Sequence, residues 1–443
     1  MINGLLDWGS ANIANDDVLN HPVMQRLRWV KQLGQIDGVN SRAVHTRYDH
    51  SGYAAKIAKN ICEILIQKKR LPAAEMDIVQ HTKLHDMGHP AFSHPVEYVL
   101  QEHSDMNHNK RALQLMNSDE TDNKGRTLNR VIEESGASPE GVRKLLTKED
   151  PASAICSNKI IGADKLAYTF MDAYVCGFNQ LPPAWQAILP FITYADDKLG
   201  LDVGMQARQQ DDPISMVCAT QTFYFRMYTD LYLSPESLAL ERHIQKAVEN
   251  SIKAGMLNPN DVWNMGDGAL VHTIARNNSK DPLVKKAQEH LACYTHSGDM
   301  YHRTLAYKFE RFLKHGSREE AKSKISPAFA SSFLKTFQKP SLLTELEDRL
   351  EQETSIPYIC SVLPDPEKVR PANITLFSGT RIVDTLKNYN PKHYEMLNEC
   401  AEREFAIRLL VPKEHKGYLI RNQGPTHLAF HNISHEIINR EGN

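Results

Sequence analysis

A chain of 443 residues can bury a large core and hold one big domain or two to three ordinary ones, and 41% hydrophobic with 24% charged residues fits a soluble globular class. The formal net charge of -2 supplies no global basic field, which argues against broad nucleic-acid binding and leaves only a local pocket for a small polyanion. No apolar run approaches the roughly 18 residues that span a bilayer, the MINGLLDWGS start lacks a signal peptide's charged and apolar regions, and seven scattered cysteines without a C-x-x-C pair exclude a disulfide framework or thiolate zinc knuckle, so a cytoplasmic protein away from membranes is expected.

Along the chain, the first 335 residues are expected to be mostly helical. Asn20 can cap a helix with Pro22 in its first turn that runs through VMQRLRWVKQL and stops at Gly34. HSGYAAKIAKNICEILIQKK places Tyr53, Ile57, Ile61 and Ile64 or Leu65 at helical spacing. Pro72 opens AAEMDIVQHTKLHDMG, which ends at Gly88. A further helix runs from about Ile155 to Cys176 and closes at Gly177, and TQTFYFRMYTDLYL and SLALERHIQKAVENSIKAGM continue the pattern. Polar stretches at 117–126 and 195–213 are expected to be surface loops or insertions. Beyond about residue 340 the character changes. IPYICSVLP, ANITLFSG, REFAIRLLVP and GYLI are short, rich in β-branched and aromatic residues, and bounded by Pro or Gly, with KEHKG as a hairpin loop. The fold expected is therefore a mostly α body, residues 1–335, followed by a small α+β region, 336–443.

Chemistry is concentrated near the N-terminal third, where eight of the 20 histidines fall between His45 and His108. His50 lies at the start of a predicted helix, His85 and Asp86 are adjacent at the end of the next, and Asp164 is expected well inside a later one. Imidazole nitrogen with carboxylate oxygen suits a borderline divalent ion such as Mn, Fe, Co, Ni or Zn. Four such ligands leave coordination positions open for water or a phosphate oxygen. An adjacent His-Asp pair alone is weak evidence in a chain this rich in histidine.

The wider context is more specific. H-D-M-G-H-P-A-F-S-H, from His85 to His94, preceded by H-T-R-Y-D-H-S from His45 to Ser51, resembles the HD superfamily, and within it the deoxynucleoside triphosphohydrolases. H-P-V-M-Q-R-L-R-W-V-K-Q-L-G, from His21 to Gly34, and D-K-L-A-Y-T-F-M-D, from Asp164 to Asp172, are similar to two further elements of that family. The resemblance covers residues 20 to 180. It implies an HD-domain helical bundle with its metal site within 45–175 and a divalent ion, manganese, iron, nickel, cobalt, zinc or magnesium, on His50, His85, Asp86 and Asp164. It implies that His89 and His94 face the phosphates and that His108, oriented by Glu97, assists proton transfer. Arg47 and Lys165 would meet phosphate, Gln32 and Leu33 the sugar, and Tyr168 and Asp172 its 3′-hydroxyl. A homo-oligomer, dimer or higher, follows by the same analogy. An aromatic at the spacing of Tyr168 is otherwise more often core packing.

The sequence departs from the family pattern in four places. Met171 stands where an arginine is expected, and Asn109 follows His108 in place of glutamate. MYTDLYLSPESLALERHI lacks the family's later Arg, His and Tyr, and LLDWGSANIAND does not match its nucleotide-activated D-P-x-H-G element. The activity expected is hydrolysis of a deoxynucleoside triphosphate to nucleoside and inorganic triphosphate. Two alternatives stay open: a nucleotidase or phosphodiesterase for another nucleotide, a cyclic nucleotide or a nucleic-acid end, and a nucleotide sensor that retains the fold without turnover.

Overall fold

The computed structural model describes residues 16–180, 185–204, 212–295, 301–314, 321–362 and 371–442. The N-terminal element that fails to match D-P-x-H-G lies almost wholly outside the described residues. The molecule is mostly helical, and its described residues form two small sheets. No helix among the described residues is long and apolar enough to cross a membrane.

The helices that build the site are α1 (Arg47–Gln67), α2 (Glu75–Leu84), α3 (His94–Gln101), α4 (His108–Met116) and α5 (Ala163–Val175). Helix α1 opens with a capping box, in which Thr46 Oγ1 accepts from Asp49 N while the Asp49 carboxylate accepts from Thr46 N. Its Tyr53, Ile57, Ile61 and Leu65 are buried and join Ile78 of α2 and Leu166 and Phe170 of α5 in one core. Each such side chain contributes about 1.5–3 kcal/mol by leaving water, which fixes these three helices against one another.

Helices α6 (Pro213–Met227), α7 (Pro235–Lys253), α8 (Pro282–Thr295), α9 (Pro340–Thr354) and α10 (Gln423–Gly442) complete the frame. Between α6 and α7, Tyr228–Tyr232 forms a π-helical turn. Helix α7 is buried along most of its length and packs on α3, α8 and α9.

The strands described are β1 (Ile192–Ala195), β2 (Lys198–Asp202), β3 (Tyr301–Phe309), β4 (Ala321–Ile325), β5 (Ile359–Val362), β6 (Thr375–Ser378), β7 (Arg381–Thr385) and β8 (Ile407–Pro412). One sheet has the order β1-β2-β6-β7 and the other β4-β3-β8-β5. Strand β2 runs parallel to β6, and β3 antiparallel to β8, so residues on both sides of position 335 share each sheet. A boundary at 335 therefore does not coincide with a break in either sheet.

Several local expectations are corrected. The stretch from Pro22 is a four-residue helix capped by the His21 side chain, then a 3-10 turn Arg26–Trp29, rather than one helix to Gly34. Part of the expected loop at 195–213 is a β-hairpin: Asp196 and Asp197, with φ of 48° and 53°, make the two-residue turn that joins β1 to β2. GYLI is helical, within Lys416–Arg421, and KEHKG is a 3-10 turn leading into that helix rather than a hairpin loop. Asp164 stands in the first turn of α5 instead of well inside it, because the chain at 158–162 is an extended turn and not helix.

Candidate functional site

Three separate elements deliver one cluster. His50, the fourth residue of α1, points inward and is fully buried. Helix α2 ends at Leu84, so His85 is its cap and Asp86 begins the turn that follows. That turn must pass close to α4. A Cβ on Gly88 would lie 2.0 Å from the carbonyl oxygen of His108, which only glycine permits. Arg26 steadies the same turn by donating to the carbonyl oxygens of Met87 and His89. Asp164 enters from the start of α5.

His50 Nε2 lies 3.0 Å from Asp164 Oδ1 and 3.7 Å from Asp86 Oδ2. His85 Nε2 is 3.4 Å from both Asp86 Oδ1 and Asp164 Oδ1. Donor atoms of His50, His85 and Asp164 all fall within 4.8 Å of one another, with Asp86 against their edge. His85 Nδ1 donates to the carbonyl oxygen of Thr82 at 2.7 Å, which leaves Nε2 as a buried lone pair with no hydrogen-bond partner. A bare nitrogen lone pair facing two carboxylates is repulsive unless a cation sits among them. The donor set and this orphaned atom fit a divalent metal ion. Burial alone would lower the His85 imidazole, but Asp86 and Asp164 outweigh it and push it up to about 9, so that a proton is attracted where a metal would be. Burial likewise opposes ionisation of Asp164 and Asp86. His50 and His85 nevertheless hold Asp164 well below the usual carboxylate range, and Arg47 and His85 do so for Asp86.

Beside this cluster lies a second. The buried carboxylate of Glu97 on α3 receives His108 Nδ1 at 2.9 and 3.0 Å, the His108 backbone N–H at 2.8 Å and His94 Nδ1 at 3.1 Å. Burial opposes the charge on Glu97, but His108 and His94 keep it ionised well below the usual range. His89 is buried, stacks on His108 with ring centroids 4.1 Å apart, and sets Nε2 3.4 Å from Asp86 Oδ1. His94 keeps half of its side chain in solvent. The structure thus brings His89, His94, Glu97 and His108 together, with Glu97 at their centre.

Arg47 is buried and forks between Ser93 Oγ, at 2.7 Å, and Asp86 Oδ2. It lines a cavity of about 550 Å³ together with Gln32, Leu33, His94, Tyr228 and Tyr232. Gln32 Oε1 is buried without a hydrogen-bond partner. Asp164, Lys165 and Tyr168 line a second cavity of about 260 Å³, which shares Tyr228 with the first. Lys165 Nζ donates to Tyr168 Oη at 2.6 Å and rests on the Tyr224 ring. Burial pushes this amine well below its ordinary value. Asp172 lines neither cavity: it is buried, 2.7 Å from His45 Nε2, and accepts from Tyr232 Oη. Met171, at the position where an arginine was expected, is buried in the core.

Residues that sequence reasoning passed over are His45, Tyr224, Tyr228, Tyr232 and Asp267. Asp267 is buried and accepts from Phe92 N and Lys31 N, tying the two loops that carry Ser93 and Gln32. His45 stood inside the H-T-R-Y-D-H-S motif. The tyrosines, four residues apart from 224 to 232, carried a one-face helical signal, and Asp267 carried none.

No family model matches the chain. A stretch of 261 residues, 58% of this chain, is 28% identical to an uncharacterized protein of Methanocaldococcus jannaschii and spans about half, 50%, of that relative's length. An 88-residue stretch is 39% identical to the deoxynucleoside triphosphate triphosphohydrolase SAMHD1 of Gallus gallus, covering 17% of this chain and 13% of that protein. The fold is similar to that of a phosphohydrolase from Bacteroides thetaiotaomicron, with a TM-score of 0.61 and 16% identity over 90% of this chain and 95% of that one. At that identity the likeness is one of fold.

Proposed function

We propose that this chain is a metal-dependent phosphohydrolase of the HD type, and that it hydrolyses deoxynucleoside triphosphates to nucleoside and inorganic triphosphate. The observation that carries the reading is the convergence of His50, His85, Asp86 and Asp164, from three separate elements, beside a cavity lined by Arg47 and Gln32. The short stretch similar to a triphosphohydrolase and the fold shared with a protein named phosphohydrolase support it.

A divalent ion on those four ligands would neutralise phosphoryl charge and lower the pKa of a water bound to it. The protein's own groups supply the rest. Arg47, already forked between Ser93 and Asp86, turns its remaining guanidinium N–H groups toward phosphate oxygens. Gln32 Oε1 offers an unused acceptor to a sugar hydroxyl, and Leu33 and Tyr232 give the sugar apolar walls. His108, held by the ionised Glu97, can carry a proton to a leaving oxygen in the way a histidine–carboxylate pair does. A cavity of about 550 Å³ is of the size that small-molecule sites usually have.

A second reading keeps the metal chemistry and changes the substrate to another nucleotide or a phosphodiester. Asp172 favours it, since both its oxygens are engaged by His45 and Tyr232 rather than open to a 3′-hydroxyl. Incubation with a dNTP and Mn²⁺, followed by anion-exchange chromatography, tests the first reading. Nucleoside with intact tripolyphosphate is the expected result. Mono- or diphosphate products only, or turnover confined to ribonucleotides and phosphodiesters, would refute it.

A further inference from the structure

We infer that the larger cavity selects a guanine base, with the Glu241 carboxylate accepting from the base N1–H and N2–H₂ groups and the Gln245 amide donating to its O6. The inference rests on the proposed reading of that cavity as a nucleotide site, and adds to it the identity of the base.

The cavity extends well beyond its phosphate-facing end. His94, Tyr98 and Gln101 line it from one face of α3, at i, i+4 and i+7, so this wall runs about 10 Å along the helix from His94. Helix α7, which packs on α3, adds Leu238, Glu241 and Gln245. With the phosphates at the Arg47 and His94 end, the base falls on this far stretch. The Tyr98 ring stays 41% exposed there, a flat face on which a base can stack, and Phe337 supplies an apolar wall.

Two polar groups in this stretch are oriented but not used up. Arg242 Nη1 donates to Gln245 Oε1 at 2.5 Å, which fixes the amide, and Gln245 Nε2 then donates to Glu241 Oε1 at 3.3 Å. A primary amide has two N–H groups, so one remains to be given. Among the described residues Gln245 is the one hydrogen-bond partner of the Glu241 carboxylate, and no cation pairs with it, since Arg242 is turned to Glu347. Burial pushes this acid up to about 7, with Arg242 offsetting only part. The cavity therefore presents unused carboxylate acceptors next to an unused amide donor.

Of the common bases, guanine alone sets two neighbouring donors, N1–H and N2–H₂, beside an acceptor, O6. Adenine and cytosine turn a ring-nitrogen lone pair toward the carboxylate. Thymine offers a single N–H between two carbonyl oxygens, one of which meets the anion. A wrong base thus leaves Glu241 unpaired and desolvated, which is how a hydrogen-bonding site rejects a near analogue.

The experiment is calorimetric titration of the full chain with dGTP, dITP, dATP, dCTP and dTTP in the presence of a chelator, so that nothing is turned over. Binding of dGTP is expected to be tighter than that of dATP, dCTP or dTTP by about tenfold or more. The probe dITP keeps N1–H and O6 but lacks the N2 amino group, and should lose about tenfold relative to dGTP without any change to the protein. Glu241→Gln, shown by thermal melting to be folded, should bring dGTP level with the other three. The inference is overturned if the four natural nucleotides bind alike, if dITP matches dGTP, or if Glu241→Gln keeps the preference. Turnover with Mn²⁺ separates the two claims. A chain that hydrolyses all four dNTPs and binds them alike keeps the proposed function and loses the base site. One that selects dGTP through Glu241 yet releases no tripolyphosphate keeps the base site and loses the proposed function.

Discussion

Asp267 is the test of how the cavity walls are held. Its buried carboxylate accepts from Phe92 N at 2.8 Å and from Lys31 N at 3.0 Å, joining the loop that leads to Ser93 and His94 to the one that carries Gln32 and Leu33. Asp267→Ala leaves both N–H groups without their acceptor. The Phe92 group is fully buried and forfeits about 1–3 kcal/mol, while the half-buried Lys31 group forfeits about 0.5–1.5, for a loss of about 1.5–4.5 kcal/mol. Burial also pushes the Asp267 acid from 3.8 up to about 6. An acid raised in the folded state keeps its proton longer there than in the unfolded chain. Its contribution is thus fully present below pH 4 and lost as pH rises through 6, by about 3 kcal/mol. Asp267→Asn lacks this titration. Urea unfolding of both proteins between pH 4 and 7 is the assay, and the lead of the unaltered chain over Asp267→Asn is expected to shrink as pH rises. A lead that stays flat or grows, or an alanine cost below about 1 kcal/mol, would refute the reasoning.

Arg47→Lys replaces a fork with a single point charge that cannot span Ser93 and Asp86 together; steady-state kinetics should show kcat/KM lower by about 10²–10³. Gly88→Ala drives a Cβ against the His108 carbonyl oxygen and Ala112 N, and calorimetry should show a loss of about 1–3 kcal/mol or more as α4 is pushed away. Arg242 donates to Glu347, which is 1% exposed, with Lys246 as a second partner. Arg242→Met should cost about 3 kcal/mol in denaturant unfolding, and the Arg242→Met/Glu347→Leu pair should cost less than the sum of its parts.

Much of the site was legible because its chemistry is written in residue type and order. The run from His85 to His94, with His50 of the H-T-R-Y-D-H-S run, supplies five of the side chains that meet in the two clusters, His50, His85, Asp86, His89 and His94, while Asp164, Glu97 and His108 are implied by the resemblance. What stayed hidden depends on contacts across long stretches of chain. Lys165 was read as a free positive charge, yet Tyr224, 59 residues later, covers it, and nothing local announces that approach. Asp172 shares a helix with Asp164, but its partners His45 and Tyr232 decide that it faces inward. In the fold, ITYA and KLGLD are strands buried along most of their length, and the acidic turn Asp196–Asp197 between them masked the hairpin as a polar loop. GYLI had strand composition and is helix, and β8 just before it is paired on both sides, by β3 and β5.

The claim on which the account turns is that His50, His85 and Asp164 surround one cation with Asp86 at its edge. Anomalous diffraction at the manganese edge, from crystals soaked in Mn²⁺, measures that directly. The account predicts a peak within bonding distance of His50 Nε2, His85 Nε2 and an Asp164 oxygen. Density with no peak there, or with the Asp164 carboxylate turned away from His85, would contradict it.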